Sequence, residues 1–298
     1  MRRVFPVLLI LVLVPIGAAA GDADRVHLML VNDDGIDAPG IAAMAAALAE
    51  DPGLRVTVVA PAEPQSGQGS ALTIRGEVPV RPHPEIAGYV AWSVGATPAT
   101  SARIGLATLL VDDPPALVVS GINRGENIGR SAWYSGTVGA ARESVMIGVP
   151  AIAFSLQLDW DDPQPDWPGA AAWAKPVVDA TLEQGLPAGV LLNVNIPADT
   201  GTIRGYRLAR MGLTPPEVSR YELAWEDLEA RWYRPRWRPP RDAERGSDIE
   251  AVATGWVAIV PLGLDQTDYR SLTELQDLRP TSPALPEPEL ENARPDAR

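Results

Sequence analysis

The sequence predicts an α/β fold with a largely parallel β-sheet that is covered by helices on both faces. Short apolar segments without a polar alternation recur along the chain, which is typical of strands buried on both sides. Stretches with helical character lie between them, and strands that alternate with helices indicate β–α–β units. Ligands of such sheets bind beyond the carboxyl ends of the strands. The polar segments that follow the strands are therefore the candidate functional residues.

The predicted elements follow one another from residue 27 to residue 262. The predicted strands are residues 27–31, 55–60, 89–94, 116–119, 150–154, 191–196 and 255–262. The predicted helices are residues 41–50, 99–110, 138–147 and 173–182. Thr97 and Pro98 supply an N-cap and a first-turn proline for the second helix. Residues 212–247 are rich in Arg, Glu, Trp and Pro and form neither a clean helix nor a clean strand, so we expect an extended arm or a surface loop there.

The two ends of the chain differ from its centre. Residues 1–20 combine Arg2 and Arg3, an apolar run and three alanines before Gly21, which is typical of a cleaved signal peptide. We therefore expect an exported protein, periplasmic or secreted, with an uncleaved N-terminal membrane anchor as the alternative; the run is short and interrupted for a membrane span. The main domain is predicted to cover residues 21–275. Residues 279–298 are rich in proline and acidic groups, which predicts a disordered tail.

Composition excludes several classes of function. The formal net charge of −13 argues against nucleic-acid binding through a broad basic face. The absence of cysteine excludes disulfides, thiolate nucleophiles and zinc–thiolate sites, and only two histidines are present. A metal site in this chain would therefore be built mostly from oxygen ligands, which suits magnesium, calcium or manganese.

The first candidate segment is the acidic turn Asn32-Asp33-Asp34-Gly35, directly after the first strand. Two adjacent carboxylates repel each other, so both stay ionised in a cleft only at a cost unless a cation lies between them. An acidic turn also favours the N-terminus of a following helix, where the helix dipole is positive. The residues alone leave both interpretations open.

Three further segments follow strands or open helices. Ser66 lies in a Ser-Gly-rich loop after the second strand, and Asn123 lies in a glycine-rich loop that begins at Ser120, after the strand of residues 116–119. Ser135, Gly136 and Thr137 open a helix, whose free amides and hydroxyls can bind an anion. A cation site beside an anion-binding helix start is the arrangement that metal-assisted phosphate-ester hydrolysis requires.

Six groups of residues form a recognisable pattern: 30–36, 59–67, 118–127, 134–138, 148–153 and 193–197, with residues 255–257, 261–262 and 265–269 continuing it. In this pattern, which covers about residues 27–275, the sequence resembles the survival protein SurE family of 5′/3′-nucleotidases. This resemblance implies a Rossmann-like three-layer sandwich with a C-terminal arm, and a homodimer or homotetramer with exchanged C-terminal elements. It also implies release of phosphate from nucleoside monophosphates with Mg²⁺ or Mn²⁺, whose site Ca²⁺ could occupy in crystals.

The same resemblance implies roles for individual residues. It assigns metal ligation to Asp33, Asp34, Ser66 and Asn123, and phosphate binding to Ser135, Gly136 and Thr137 with Gly121 nearby. Asp33 and Asp34 are also the catalytic candidates, with Asp33 favoured to orient or deprotonate the attacking water.

The chain departs from the family pattern at two positions in the domain. Thr100 stands where the family usually has an acidic residue, and Ser70 stands where it often has histidine or asparagine. A signal peptide is a third departure, because family members are usually cytoplasmic. The main hypothesis is thus an exported nucleotidase. The alternatives are a broad acid phosphatase or exopolyphosphatase, and a non-catalytic protein that binds phosphate or nucleotide.

Overall fold

The computed structural model describes residues 25–159, 164–214, 217–238 and 243–279. The predicted signal peptide and all but the first residue of the predicted tail lie outside these ranges. The described chain divides into two units, one ending at Leu264 and the other beginning at Asp265.

Strands and helices alternate through the first unit. Its strands are β1 (Val26–Val31), β2 (Leu54–Pro61), β3 (Val80–Ile86), β4 (Tyr89–Val94), β5 (Leu117–Arg124), β6 (Ala151–Leu156), β7 (Val190–Ile196), β8 (Tyr206–Leu208), β9 (Glu217–Glu226), β10 (Arg231–Arg238) and β11 (Val257–Gly263). Its helices are α1 (Pro39–Ala49), α2 (Pro98–Ile104), α3 (Gly136–Ile147), α4 (Trp167–Gln184) and α5 (Asp248–Ala253). The second unit contains α6 (Tyr269–Glu274), whose first amides are capped by the Asp268 carboxylate. None of the helices in the described ranges is long and apolar enough to cross a membrane.

Within the described residues, nine strands form one sheet in the order β3-β4-β2-β1-β5-β6-β7-β11-β8. The central strands from β4 to β7 are parallel, while β3 and β11 run antiparallel to their neighbours β4 and β7. The chain leaves β1 toward β2 on one side, and β5 lies on the other side. The carboxyl ends of β1 and β5 therefore flank the topological switch point, where α/β sheets bind their ligands.

Helices cover both faces of this sheet, as predicted. Side chains of α1 and α4 share one buried cluster with the sheet, represented by Ile41, Met44 and Ala174. Side chains of α2 and α3 share a second cluster with the other face, represented by Ala102 and Val138. The architecture is a Rossmann-like three-layer α/β sandwich, which confirms the predicted fold class.

Two predictions of secondary structure were wrong. Residues 120–124 were expected in a loop, but β5 continues to Arg124, because Asn123 and Arg124 resume the ladder with β6 after an irregularity that follows Ser120. Residues 212–247 were expected to lack a clean strand, but β9 and β10 form an antiparallel hairpin whose two register shifts obscure the alternation in sequence. Trp225 and Trp232 stack across this hairpin with ring centroids 3.4 Å apart.

Candidate metal and phosphate site

The acidic turn at the end of β1 is held in a single conformation by hydrogen bonds. The side-chain amide of Asn32 donates to the carbonyl oxygen of Gly35 at 2.6 Å. The amide of Ile36 donates to the carbonyl oxygen of Pro61 at 2.8 Å, which fastens the turn to the end of β2. Gly35 has a φ of +97°, a conformation that favours glycine. The carboxylates of Asp33 and Asp34 thus start from a fixed backbone.

Asp33 is the more buried of the two carboxylates, with 4% of its surface exposed. Burial raises the pKa of Asp33 to about 6; the hydrogen bond from Thr137 opposes this shift, and repulsion from Asp34 adds to it. Burial also raises the pKa of Asp34, against the amide of Arg124, which donates to Oδ2 at 2.8 Å. The surroundings thus disfavour the ionised carboxylates of both Asp33 and Asp34. A cation between these carboxylates would relieve that cost.

The start of α3 lies directly against Asp33. The Thr137 hydroxyl donates to Oδ1 of Asp33 at 2.5 Å, and the Ser135 hydroxyl caps the helix by accepting from the amide of Val138 at 3.1 Å. Gly136 leaves no room for a side chain, because a Cβ there would lie 2.8 Å from Oδ2 of Asp33. The structure therefore brings three predicted phosphate-binding residues next to the acidic turn.

Asn123 and Gly121 lie on β5, the strand beside β1. The side-chain amide of Asn123 donates to the carbonyl oxygen of Gly125 at 2.7 Å, which orients the carboxamide and leaves its oxygen as the acceptor end. The next residue, Arg124, supplies the amide that binds Asp34. A Cβ at Gly121 would lie 2.4 Å from the carbonyl oxygen of Phe154, so the strand passes β6 too closely for any other residue.

A buried polar network fixes the end of the same segment. The amide of Asn127 donates to Oδ1 of Asn195 at 2.7 Å, and its carboxamide donates to the hydroxyl of Ser155 at 2.8 Å. The carboxamide of Asn193 donates to the carbonyl oxygen of Asn127 at 2.8 Å. These bonds fasten the turn after β5 to β6 and β7.

Ser66 follows a residue that is hydrogen-bonded to the acidic turn. The amide of Gln65 donates to the carbonyl oxygen of Asp33 at 2.7 Å, which places the backbone next to Ser66 beside the turn. The Ser66 side chain is exposed, and no hydrogen bond joins its hydroxyl to any residue in the part of the chain that the structure describes. Among the described residues, Ser66 is thus the one predicted metal ligand whose side chain has no hydrogen-bond partner.

Three features of this site were not predicted from the sequence. The Ser120 hydroxyl donates to the carbonyl oxygen of Thr137 at 2.8 Å and so links β5 to the helix start. The Arg124 backbone, not its side chain, binds Asp34, and no sequence pattern could indicate that. Oδ1 of Asn32 is buried and accepts no hydrogen bond from a described residue. Ser120 and Asn32 could have been suspected from the sequence, because each directly precedes a predicted site residue, Gly121 and Asp33 respectively.

The chemistry of the donors fits a hard divalent cation. Two carboxylates, one carboxamide oxygen and one hydroxyl are oxygen ligands, which Mg²⁺ and Mn²⁺ prefer over nitrogen or sulfur. Oδ1 of Asn32 is buried without a hydrogen-bond donor among the described residues, and burial raises the pKa of both Asp33 and Asp34, so a cation beside them would favour their ionised forms. The helix start beside it offers amides to an anion. The arrangement can hold a cation and a phosphate side by side.

Comparison with known proteins gives a consistent result. The family model described as survival protein SurE matches residues 28–217. The protein named 5′-nucleotidase SurE from Symbiobacterium thermophilum is 40% identical over 262 residues, which cover 84% of this chain and 96% of that relative. The protein of the same name from Ectopseudomonas mendocina is 38% identical over 247 residues, which cover 83% of this chain and 95% of that relative. The crystal structure of the SurE protein from Aquifex aeolicus matches with a TM-score of 0.71 at 32% identity, covering 84% of this chain and 98% of that one.

Proposed function

Since the chain belongs to the survival protein SurE family, we propose that it is a divalent-metal-dependent phosphomonoesterase that releases phosphate from nucleoside 5′- and 3′-monophosphates. The observation that carries this proposal is the hydrogen bond from Thr137 to Asp33, which joins an anion-binding helix start to a carboxylate pair. The curated relatives are named 5′-nucleotidases, which supports the nucleotide as the substrate class.

The metal would be held by Asp33, Asp34, Ser66 and Asn123. A bound Mg²⁺ or Mn²⁺ would supply Lewis-acid activation of the phosphoryl group and of water. The carboxylates contribute the negative charge, and the neutral oxygens of Ser66 and Asn123 complete a ligand set that a small hard cation accepts. The exposed Ser66 hydroxyl is available for this role because no described residue binds it.

The phosphate would be bound by the start of α3. Backbone amides at Gly136 and Thr137 and the Ser135 hydroxyl surround the positive end of the helix dipole, with Gly121 on the neighbouring strand. During hydrolysis the water oxygen bonds to phosphorus as the ester P–O bond breaks. Asp33 accepts the proton of the water, and the departing nucleoside oxygen takes a proton from solvent.

A substrate panel on the purified protein tests this function. We expect phosphate release from 5′-AMP, 5′-GMP and 3′-AMP that is abolished by a chelator and restored by Mn²⁺ or Mg²⁺, and we expect Asp33→Asn and Asp34→Asn to abolish it. Faster release from polyphosphate or p-nitrophenyl phosphate would indicate an exopolyphosphatase or a broad acid phosphatase. Tight nucleotide binding by calorimetry without turnover would indicate a binding protein.

The hairpin of β9 and β10 supports an oligomer of this chain, either a homodimer or a homotetramer. Large apolar side chains on it are exposed, including Tyr221 at 64%, Leu223 at 50% and Trp225 at 52%. Exposed apolar surface of this kind is typical of a protein–protein interface. Light scattering after gel filtration should give a mass of two or four chains, and Leu223→Glu should lower it to one chain.

Export is the proposed location, based on the signal-peptide pattern of residues 1–20. N-terminal sequencing of the protein recovered from a bacterial host should find a chain that starts near Gly21 outside the cytoplasm. An N-terminus at Met1 in the membrane fraction would favour the anchored alternative.

A further inference from the structure

The loop that carries Ser66, which we call the Ser66 loop (residues 62–79), connects β2 to β3 and contains no helix or strand. Its three glycines, Gly67, Gly69 and Gly76, have positive φ values, and its side chains are mostly exposed. A chain of this composition has many accessible conformations when nothing restrains it. The position of a metal ligand on such a loop depends on the contacts that fasten the loop.

The first half of the Ser66 loop is fastened to the elements that carry the phosphate site. The amide of Gly69 donates to the carbonyl oxygen of Tyr134 at 2.9 Å. A Cβ at Gly139 of α3 would lie 1.9 Å from the carbonyl oxygen of Gly69, so the helix and the loop touch backbone to backbone. Arg142 donates to the Ser70 hydroxyl at 3.0 Å. These contacts join residues 69 and 70 to α3 and to the segment directly before it.

The second half is fastened by two threonines at the start of α2. The Thr97 hydroxyl lies 2.6 Å from the carbonyl oxygen of Ala71, the amide of Thr73 lies 2.8 Å from the Thr100 hydroxyl, and the two hydroxyls lie 2.7 Å apart. A carbonyl can only accept, so Thr97 donates to Ala71. A hydroxyl has one hydrogen, so Thr100 must donate to Thr97 and accept from Thr73. The four groups form one directed chain of hydrogen bonds.

This series of hydrogen bonds, which we call the threonine clamp, does more than cap the start of α2. The cap itself is the contact of the Thr100 amide with the Thr97 hydroxyl at 3.2 Å. The Thr100 side chain is not needed for that contact, yet it is buried, with 6% of its surface exposed, and its hydroxyl binds a loop that lies 27 positions earlier in the chain. Pro98, between the two threonines, also packs against Gly136 at the start of α3, which places the clamp next to the phosphate site.

We propose that Thr97 and Thr100 are positioning residues that fasten the Ser66 loop and thereby hold Ser66 where it can bind the metal with Asp33 and Asp34. The proposal rests on the proposed function for the identity of the ligand. It also gives a role to Thr100, one of the two residues in the domain at which the chain departs from the usual family pattern. An ionised carboxylate there could accept from Thr73 but could not donate to Thr97, so threonine makes a connection that an aspartate cannot make.

The test compares Thr100→Val, which removes the hydroxyl at nearly constant volume, with Thr100→Ser, which keeps it. Thr181→Val on α4 is the matched control, because Thr181 is also buried but lies on the opposite face of the sheet. The first readout is hydrogen exchange of peptides from the Ser66 loop in metal-free protein. The second is Mn²⁺ affinity, measured by electron paramagnetic resonance without substrate.

We expect Thr100→Val to speed exchange in the Ser66 loop and to weaken Mn²⁺ binding by about fivefold, the equivalent of one neutral hydrogen bond. Thr100→Ser should restore both, and Thr181→Val should change neither. If hydrogen exchange in the Ser66 loop of Thr100→Val equals that of the wild type, Thr100 does not fasten the loop. If its Mn²⁺ affinity equals that of the wild type, the loop contact does not support metal binding. The proposal would also be overturned if Thr181→Val weakened Mn²⁺ binding as much as Thr100→Val does, or if Thr100→Ser failed to restore Mn²⁺ affinity and slow exchange.

The proposal can still be tested if Thr100→Val does not fold or if the wild-type protein hydrolyses no nucleotide. If Thr100→Val does not fold, Thr100→Ala removes the same hydroxyl with a smaller side chain and is judged by the same two readouts. If the wild-type protein binds Mn²⁺ but hydrolyses no nucleotide, the proposed function fails, while the exchange and affinity measurements still decide the role of Thr100.

Discussion

The hydroxyl of Thr137 donates a hydrogen bond to Oδ1 of Asp33 at 2.5 Å, across 104 positions of sequence. This contact joins the first turn of α3 to the end of β1 and so ties the proposed phosphate site to the proposed metal site. Ser120 on β5 also binds Thr137, because its hydroxyl donates to the backbone carbonyl oxygen of Thr137 at 2.8 Å. The backbone of the residue that binds Asp33 is therefore fixed by β5, the strand next to β1.

Replacement of Thr137 by valine should lower kcat for 5′-AMP by roughly tenfold to a hundredfold, which corresponds to one hydrogen bond to a charged group. Thr137→Ser keeps the hydroxyl and should retain most of the activity. Steady-state kinetics at saturating Mn²⁺ measure both. Activity at the wild-type level in the valine variant would show that the contact does not serve the reaction.

Replacement of Gly136 by alanine should disturb both the fold and the site. The new Cβ would lie 2.8 Å from Oδ2 of Asp33 and 2.9 Å from Cγ of Pro98, so the helix start must shift. We expect a loss of about 1–3 kcal/mol in the free energy of unfolding, as for other overpacked positions, together with reduced activity. Gly201→Ala is the control, because its Cβ would meet only Oδ1 of Asp199 at 3.5 Å. Equal denaturation midpoints for the two variants would contradict the packing argument.

Replacement of Asp33 by asparagine should abolish activity yet stabilise the metal-free protein at neutral pH. The pKa of this carboxyl rises from 3.8 to about 6 on folding, so the unfolded chain loses its proton first and stability falls as pH rises through that window. Above the window the ionised carboxylate costs about 3 kcal/mol, because one pKa unit corresponds to ~1.4 kcal/mol. Chemical denaturation in the presence of a chelator should show this difference.

The same experiment contains its own controls. Well below pH 3.8 the carboxyl is neutral in both the folded and the unfolded state, so the wild-type protein and Asp33→Asn should be equally stable. Saturating Mn²⁺ should stabilise the wild-type protein more than the variant, because a ligand that binds the folded state raises its stability. A stability difference that does not depend on pH would show that the carboxylate charge is not its cause.

Replacement of Asp248 by alanine should destabilise the domain without touching the proposed site. Asp248 is fully buried and accepts from the amides of Gly129 at 2.8 Å, Gly212 at 2.9 Å and Ile249 at 2.9 Å. Burial raises the pKa of its carboxyl, and the three donors oppose that shift. Each amide left without a partner costs about 1–3 kcal/mol, so the melting temperature should fall markedly. Asp248→Asn keeps one acceptor oxygen, so its melting temperature should fall less than that of the alanine variant. An unchanged melting temperature in Asp248→Ala would contradict this role.

The strands of the sheet core were predicted from the sequence within a few residues, because a strand that is buried on both faces must be apolar throughout. The edge strand β3 was missed. Its prolines at positions 82 and 84 argue against a strand in the middle of a sheet, and the structure places it at the edge, where proline is tolerated. The hairpin of β9 and β10 was missed because its charged residues and register shifts leave no clear alternation.

The sequence by itself determined the type of fold and the residue types at the site, since apolar periodicity and the chemistry of Asp, Asn, Ser and Thr are local properties. Only the tertiary structure decided which of these residues meet. It placed Thr137 on Asp33, the Arg124 amide on Asp34 and Thr100 on the Ser66 loop, and it left the Ser66 hydroxyl without a described partner. Such contacts depend on how strands and helices pack across the sheet. A hydrogen bond between distant positions leaves no periodic trace in the sequence, and a bond from a backbone amide leaves none at all.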